Sequence, residues 1–170
     1  MFLYRSGDLP DLETLANTNS VWFDTAGTIP DLCSPRSTSV FATLSYPAAH
    51  EWVDWRQSNL LSADIWEIQV PANAILFAYD VRHYENAGYA RWRTQKGNPT
   101  RISMEEYVQQ YWSTRVSVPA DIDKIPDHQW WEVLIPYDIA VQASWTLIEQ
   151  VDPPDWVLEH PEWDVLEPKA

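Results

Sequence analysis

The sequence predicts an α+β fold, and three observations lead to that class. Strand-like and helix-like segments are mixed along the chain but do not alternate strictly, as they would in a doubly wound parallel sheet. The 170 residues are 45% hydrophobic, which is enough for one domain with a sizeable core. The four glycines form no phosphate-binding loop of the kind that opens nucleotide-binding α/β folds.

The first half of the chain predicts four strands, two helices, and a segment that is either a short strand or a buried loop. Residues 2–5 are a short apolar run closed by the turn signal Ser6-Gly7-Asp8. Asp8 is a good N-cap and Pro10 suits a first turn, so a short helix is expected after them. Periodicity and turn signals then predict a short strand or buried loop at 21–23, an irregular segment at 24–36, a strand at 37–45, a helix at 47–58, and strands at 64–71 and 74–81.

The second half predicts helices followed by a hairpin. Residues 83–99 are basic and aromatic and suggest a short helix that runs into an exposed loop. Ser103 and Glu106 have the spacing of a capping box, which predicts a helix from there to 113. A polar connector at 116–126 precedes a strand at 128–136, with 142–149 as its hairpin partner. Residues 1–151 are expected to form the domain, and 152–170 an acidic Trp- and Pro-rich extension.

The composition limits the partners, the cellular location and the metal chemistry that are expected for the chain. The net charge of −14 repels nucleic-acid backbones over most of the surface and favours cationic partners. No apolar run approaches the roughly 20 residues of a membrane helix, and the first residues lack the pattern of a signal peptide. The single cysteine fits a reducing, cytoplasmic location. The four histidines are scattered without metal-ligand spacing, so no metal is expected.

Glu132 is the one acid in the apolar stretch that Pro136 ends. Two alternatives follow from strand geometry. The carboxylate can alternate to the solvent face of an ordinary strand, or it can be buried, where it is costly unless another group pairs with it or a reaction uses it.

An arginine, a Ser/Thr group and a glutamate follow one another on three predicted strands. Arg5 ends the first strand within Leu3-Tyr4-Arg5-Ser6-Gly7, and Ser37-Thr38-Ser39 leads into residues 40–43. Glu132 opens Glu132-Val133-Leu134-Ile135-Pro136. This layout resembles the Arg-Ser-Glu class of ADP-ribosyltransferases, and residues 41–49 resemble that family's second motif and the helix after it.

The resemblance implies two packed, mainly antiparallel sheets that form a cleft, with flanking helices. It implies an NAD-dependent mono-ADP-ribosyltransferase that breaks the bond between nicotinamide and ribose without a metal. Glu132 is then the catalytic residue, and Arg5 binds the phosphates of NAD. Ser37, Thr38, Ser39 and Thr43 are the candidate hydroxyl residues at the NAD site, and the sequence leaves open which of them orients the ribose or the carboxylate.

The sequence does not identify the group to which ADP-ribose would be transferred. Arginine-modifying members carry a second glutamate two residues before the catalytic one, whereas this chain has Trp130 there. Another side chain, a nucleobase, a small molecule or water could accept the ADP-ribose. Trp130, Arg91 and Arg93 are the residues expected to recognise it.

Two other hypotheses use the charge distribution. An acidic protein without catalysis could bind a basic protein partner, for example by occupying its nucleic-acid groove. Alternatively, the basic stretch 82–101 is a target-recognition loop in which Tyr84, Tyr89 and Trp92 stack on bases. Under that hypothesis the acceptor is nucleic acid.

Overall fold

The computed structural model describes residues 1–10, 18–58 and 63–151. In these residues the fold is α+β, with one antiparallel sheet of seven strands and five helices. The strands are β1 Phe2–Ser6, β2 Ser39–Thr43, β3 Ile65–Gln69, β4 Leu76–Asp80, β5 Val116–Val118, β6 Trp131–Pro136 and β7 Ser144–Glu149. The helices are α1 Val21–Thr25, α2 Tyr46–Ser58, α3 Val81–Gln95, α4 Met104–Ser113 and α5 Tyr137–Ala140. None of the helices in these ranges has the length and apolar character needed to cross a membrane.

The sheet has the order β5-β4-β6-β2-β1-β3-β7 and consists of two well-paired halves. β2 pairs with β6, and β1 with β3, along their full lengths. Between β1 and β2, by contrast, the pairing is limited to Tyr4 opposite Thr43. We expected two packed sheets, and the described residues instead form a single sheet with this narrow junction at its centre.

Strand alternation gives the sheet two different faces. One face carries an aliphatic cluster to which β1 to β6 all contribute buried residues, with Leu3, Val40, Ala78 and Val133 among its members. On the other face β4 and β6 pack against α1, α3 and α4 through an aromatic cluster: Phe23, Tyr79, Ala87, Val108, Tyr111, Trp112 and Leu134. Glu132 lies on this second, helix-covered face.

Several predicted elements differ from the structure because packing against distant residues determined their type, length or pairing partner. Residues 21–25 are a helix, not a strand or loop, and α3 is longer than the predicted helix. The connector after α4 contains β5. The strand at 144–149 exists, but it pairs with β3 and not with β6. The expected helix after Pro10 and the extension 152–170 lie outside the described residues.

Candidate functional site

Glu132 is a buried acid in the middle of the sheet. It stands second in β6, with Thr43 of β2 opposite it on one side and Tyr79 of β4 on the other. Only 8% of the residue is exposed, so the solvent-facing alternative is wrong. A carboxylate in this position requires a cation or hydrogen bonds to compensate the loss of water.

Arg36 supplies the cation. Its guanidinium pairs with Glu132 through Nη1 and Oε1, and the residue is itself 2% exposed. Arg36 lies in a 3-10 turn, Arg36–Thr38, just before β2. Asp24 of α1 fixes this turn, because its carboxylate accepts hydrogen bonds from the backbone N–H groups of Arg36 at 2.9 Å and Ser37 at 2.8 Å. α1 and β2 together therefore direct the guanidinium at Glu132.

Four aromatic rings enclose the Arg36 guanidinium. Its Cζ lies 3.7 Å from the ring centroid of Tyr84 and 4.4 Å from that of Phe41. Tyr111 and Phe23 follow at 5.3 and 5.6 Å. Aromatic faces attract cations, and more strongly where water is excluded. The Nε atom of this buried cation has no hydrogen-bond partner among the described residues, so one of its donors is unsatisfied.

Tyr111 of α4 completes the polar centre. Its hydroxyl accepts a hydrogen bond from Arg36 Nη1 at 2.9 Å and donates one to Glu132 Oε1 at 2.7 Å. Burial raises the pKa of Tyr111 above its ordinary value, and the Arg36 guanidinium offsets only part of that rise. The phenol is therefore protonated at neutral pH. Both partners converge on Oε1, and Oε2 of Glu132 has no hydrogen bond to the described residues.

The four hydroxyl residues predicted to bind NAD lie at different places. Thr43 is directly opposite Glu132 in the pairing of β2 and β6. Ser39 is at the other end of β2, four residues away, and Ser37 and Thr38 belong to the turn before that strand. The predicted strand at 37–45 placed Ser37 and Thr38 in β2, which is wrong because the strand begins only at Ser39.

Thr43 also spans the narrow junction of the sheet. Its hydroxyl is shared between two main-chain acceptors, the carbonyl oxygens of Tyr4 at 3.1 Å and Ser45 at 3.2 Å. The Tyr4 bond reaches into β1 and reinforces the single residue pair that joins the two halves. With both donor contacts directed at the backbone, the oxygen of Thr43 retains capacity to accept a hydrogen bond.

Arg5 lies at the end of β1 on the face opposite Glu132. Leu3 belongs to the aliphatic cluster with Val133, and alternation places Arg5 on the same side as Leu3. Its Nη1 donates to the carbonyl oxygen of Phe41 at 2.9 Å. The structure thus brings Thr43 and Glu132 together, and it places Arg5 next to Tyr4 in β1 but on the other face of the sheet.

The residues predicted to recognise the acceptor lie outside this centre. Trp130 is in the 3-10 turn before β6, with the Cζ of Arg82 5.9 Å from its ring centroid. Arg91 and Arg93 are on α3. The Cζ of Arg91 is 4.9 Å from the ring centroid of Trp22, and the guanidinium of Arg93 donates to the hydroxyl of Tyr89 at 3.1 Å.

Arg36, Tyr84 and Tyr111 are the site residues that sequence reasoning missed. The helical spacing of Val108, Tyr111 and Trp112 marks one buried face of α4, and it could have placed the Tyr111 side chain in the core. No local pattern indicates the position of Arg36, because its ring contacts come from α1, β2, α3 and α4.

The arrangement fixes the position of the Glu132 carboxylate and leaves part of it able to interact with another group. One oxygen of Glu132 is fixed by a cation and a phenol, and the other is open to accept a hydrogen bond. A preorganised carboxylate of this kind stabilises positive charge that develops on a neighbouring group. Within the described residues no three His, Cys, Asp or Glu side chains are grouped closely enough to hold a metal ion.

No protein-family model matches the sequence, and no curated protein or solved structure shows significant similarity to it.

Proposed function

We propose that this chain is an NAD-dependent mono-ADP-ribosyltransferase in which Glu132 is the catalytic carboxylate. The observation that carries the proposal is the placement of Glu132. It is a buried acid at the start of a central strand, fixed through one oxygen by Arg36 and Tyr111, with its other oxygen free of described partners. Thr43 lies directly opposite it.

The reaction needs a carboxylate held in this way. The bond between C1′ of the ribose and the nicotinamide nitrogen breaks, the electron pair leaves with nicotinamide, and positive charge builds on the sugar ring as in glycoside hydrolysis. Oε2 of Glu132 accepts a hydrogen bond from a ribose hydroxyl and stabilises that charge. The acceptor then bonds to C1′ and loses a proton. Because Arg36 and Tyr111 hold Oε1, the carboxylate does not have to reorganise during the reaction.

The junction between β1 and β2 supports a place for the rest of NAD. The two strands pair only at Tyr4 and Thr43, next to Glu132, and the side chain of the following residue, Arg5, bonds to the carbonyl oxygen of Phe41 in β2. We place the ribose at Glu132 and Thr43. The diphosphate would bind at Arg5, whose side chain leaves β1 on the other face but bridges β1 and β2 through this bond to the carbonyl oxygen of Phe41. Arginine suits the diphosphate because its planar guanidinium binds phosphate oxygens through charge-assisted hydrogen bonds. The finer ADP-ribosyltransferase-like architecture, with a cleft between two sheet halves, is part of this proposal.

The test measures nicotinamide release from NAD by the purified full chain, with and without a cell lysate as a source of acceptors. Glu132→Gln is the informative variant, because the amide keeps the size of the side chain and an oxygen for Arg36 and Tyr111. We expect release to fall about 10²–10³-fold, the range typical for loss of a preorganised electrostatic group.

Glu67→Gln is the matched control. Glu67 lies on the same sheet face in the other half and accepts a hydrogen bond from the hydroxyl of Tyr4 at 3.2 Å, so its variant should keep wild-type activity. Circular dichroism of both variants verifies the fold. Absence of nicotinamide release by the wild type, or full release by folded Glu132→Gln, would overturn the proposal.

A further inference from the structure

The outer surface of α3 carries a stacked aromatic pair within a basic stretch. The rings of Tyr89 and Trp92 are 5.9 Å apart with planes inclined by 28°, and each residue is 51% exposed. The guanidinium of Arg93 holds the pair from one side, with its Cζ 5.8 Å from the Tyr89 ring centroid and Nη1 bonded to the hydroxyl. Two large rings are thus stacked at the surface, and the face of the Tyr89 ring lies near a cation.

The charge around this pair is opposite to that of the chain as a whole. The chain carries a net charge of −14, but residues 82–101 contain five basic side chains and one acid, Glu85. Of the five, Arg82 is paired with Asp80. The remaining four flank the aromatic pair along α3 and the turn after it: Arg91, Arg93, Lys96 and Arg101. Lys96 follows Trp92 by four residues, which puts the two on one side of the helix.

We propose that this surface, Tyr89, Trp92 and the four flanking basic residues, binds single-stranded nucleic acid. Exposed bases stack on aromatic side chains irrespective of sequence, and Arg or Lys beside them neutralises the phosphates. Duplex DNA offers no free base faces to such a pair, so single strands are the preferred ligand. The predicted recognition loop is therefore a helix surface. Tyr84 is not part of it, because its ring packs on Arg36.

The position of this surface on α3, near the residues that contact Arg36, bears on which molecule accepts the ADP-ribose. Tyr84 and Trp92 are both on α3, eight positions apart, which is about 12 Å along a helix axis. Tyr84 lies against the Arg36 that pairs with Glu132. A strand bound at Trp92 thus lies close enough to present a nucleotide at the site. The identification of nucleic acid as the acceptor rests on the proposed function, whereas the binding itself does not.

The binding test needs no NAD, so it can fail or succeed independently of the proposed activity. Fluorescence anisotropy follows labelled 12-nucleotide single-stranded DNA, single-stranded RNA and duplex DNA in about 50 mM salt. We expect at least one of the single strands to bind more tightly than the duplex. Trp92→Ala and Tyr89→Ala should each weaken that binding about tenfold. Arg91→Gln with Lys96→Gln should lower the slope of log K against log salt by about 0.7 for each phosphate that the variant no longer neutralises.

Two control variants match these changes elsewhere on the surface. Tyr137→Ala removes another exposed tyrosine, on α5, and Lys124→Gln removes a basic residue that is paired with Asp121. Neither should change the affinity. Absence of single-strand binding, binding that survives the Trp92→Ala and Tyr89→Ala changes, or equal binding of a polyglutamate peptide would overturn the proposal. The last result would assign the surface to an acidic protein partner.

Discussion

At the scale of single residues, the burial of Arg36 depends on the burial of Glu132. Each is almost fully excluded from water, and each is the charged partner of the other. We predict that Arg36→Met lowers the free energy of unfolding by about 3–5 kcal/mol, because it leaves a carboxylate buried without its cation. Urea denaturation at pH 7, followed by tryptophan fluorescence, measures the loss.

The double variant Arg36→Met with Glu132→Leu removes both charges but keeps the approximate volume of the two side chains, so it tests whether the charges or the volume stabilise the protein. Replacing both charges by apolar side chains of similar volume removes the desolvation cost as well as the attraction, so most of the lost stability should return. A double variant whose loss equals the sum of the two single losses would show that the two residues act independently. This coupling also explains why Glu132→Gln is a better test of activity than Glu132→Ala.

The same pair marks the limit of sequence reasoning about the site. Glu132 stood out because a carboxylate in an apolar strand is costly unless another group pairs with it or a reaction uses it, and Thr43 lies opposite it because two predicted strands pair. Arg36 is one residue before Ser37, in a segment that predicted only irregular structure. Its burial depends on Asp24, Tyr84 and Tyr111, and their approach to it is set by the tertiary fold.

At the scale of elements, Asp80 links β4 to α3. Its carboxylate accepts the backbone N–H of Arg82 at 3.0 Å as the N-cap of α3. It also accepts the single N–H of Arg82 Nε, shared between its two oxygens, and an N–H of Nη2 at 2.6 Å. We predict that Asp80→Asn destabilises the protein by about 1–2 kcal/mol at pH 7, the range for loss of a good helix cap.

The effect of Asp80 should depend on pH in a defined direction. Burial alone would raise the pKa of Asp80, but the hydrogen bonds from Arg82 hold it below its ordinary value of 3.8. A lowered pKa adds stability above the unfolded value, and that stability is lost as the pH falls through the folded value. The difference between wild type and Asp80→Asn should therefore be constant above about pH 5 and shrink below about pH 4.

Ser103→Ala serves as the control for this titration. Ser103 caps α4 in a capping box with Glu106, but its hydroxyl does not titrate. Removing it should cost about 1 kcal/mol, and most of that cost should persist from pH 7 to pH 4. Urea midpoints across this range check both variants. A difference for Asp80→Asn that grows on acidification would contradict the assignment of its pKa shift.

Element prediction succeeded where the signals were local. The capping box is present as Ser103 and Glu106 predicted, because both of its hydrogen bonds form within one turn. The predicted strand at 142–149 is present as Ser144–Glu149, but its predicted partner was wrong, because pairing depends on where distant strands lie. β5 was missed since three residues between polar segments carry too little pattern.

At the scale of the whole molecule, the narrow junction between β1 and β2 determines how the halves of the sheet behave. Backbone pairing is extensive within each half and is reduced to Tyr4 and Thr43 between them. The aliphatic cluster also joins the halves, through Leu3 and Val40 among others, so the weak point is the backbone pairing. Regions joined by few backbone hydrogen bonds open more readily as separate units. The proposed ribose position lies at this joint, so motion of one half relative to the other would widen or close the site around Glu132.

Hydrogen exchange of Thr43→Val tests whether the halves open separately. The valine keeps the branched shape of Thr43 but removes its hydrogen bonds to the carbonyl oxygens of Tyr4 and Ser45, at a cost of about 1 kcal/mol. We expect faster amide exchange in β1 and β3, with smaller changes in β4 and β6. Thr146→Val is the control, since Thr146 is an exposed threonine of β7 that pairs with Glu67 of β3, in the regular part of that ladder. An equal change in all of these strands would show instead that the sheet opens as one cooperative unit.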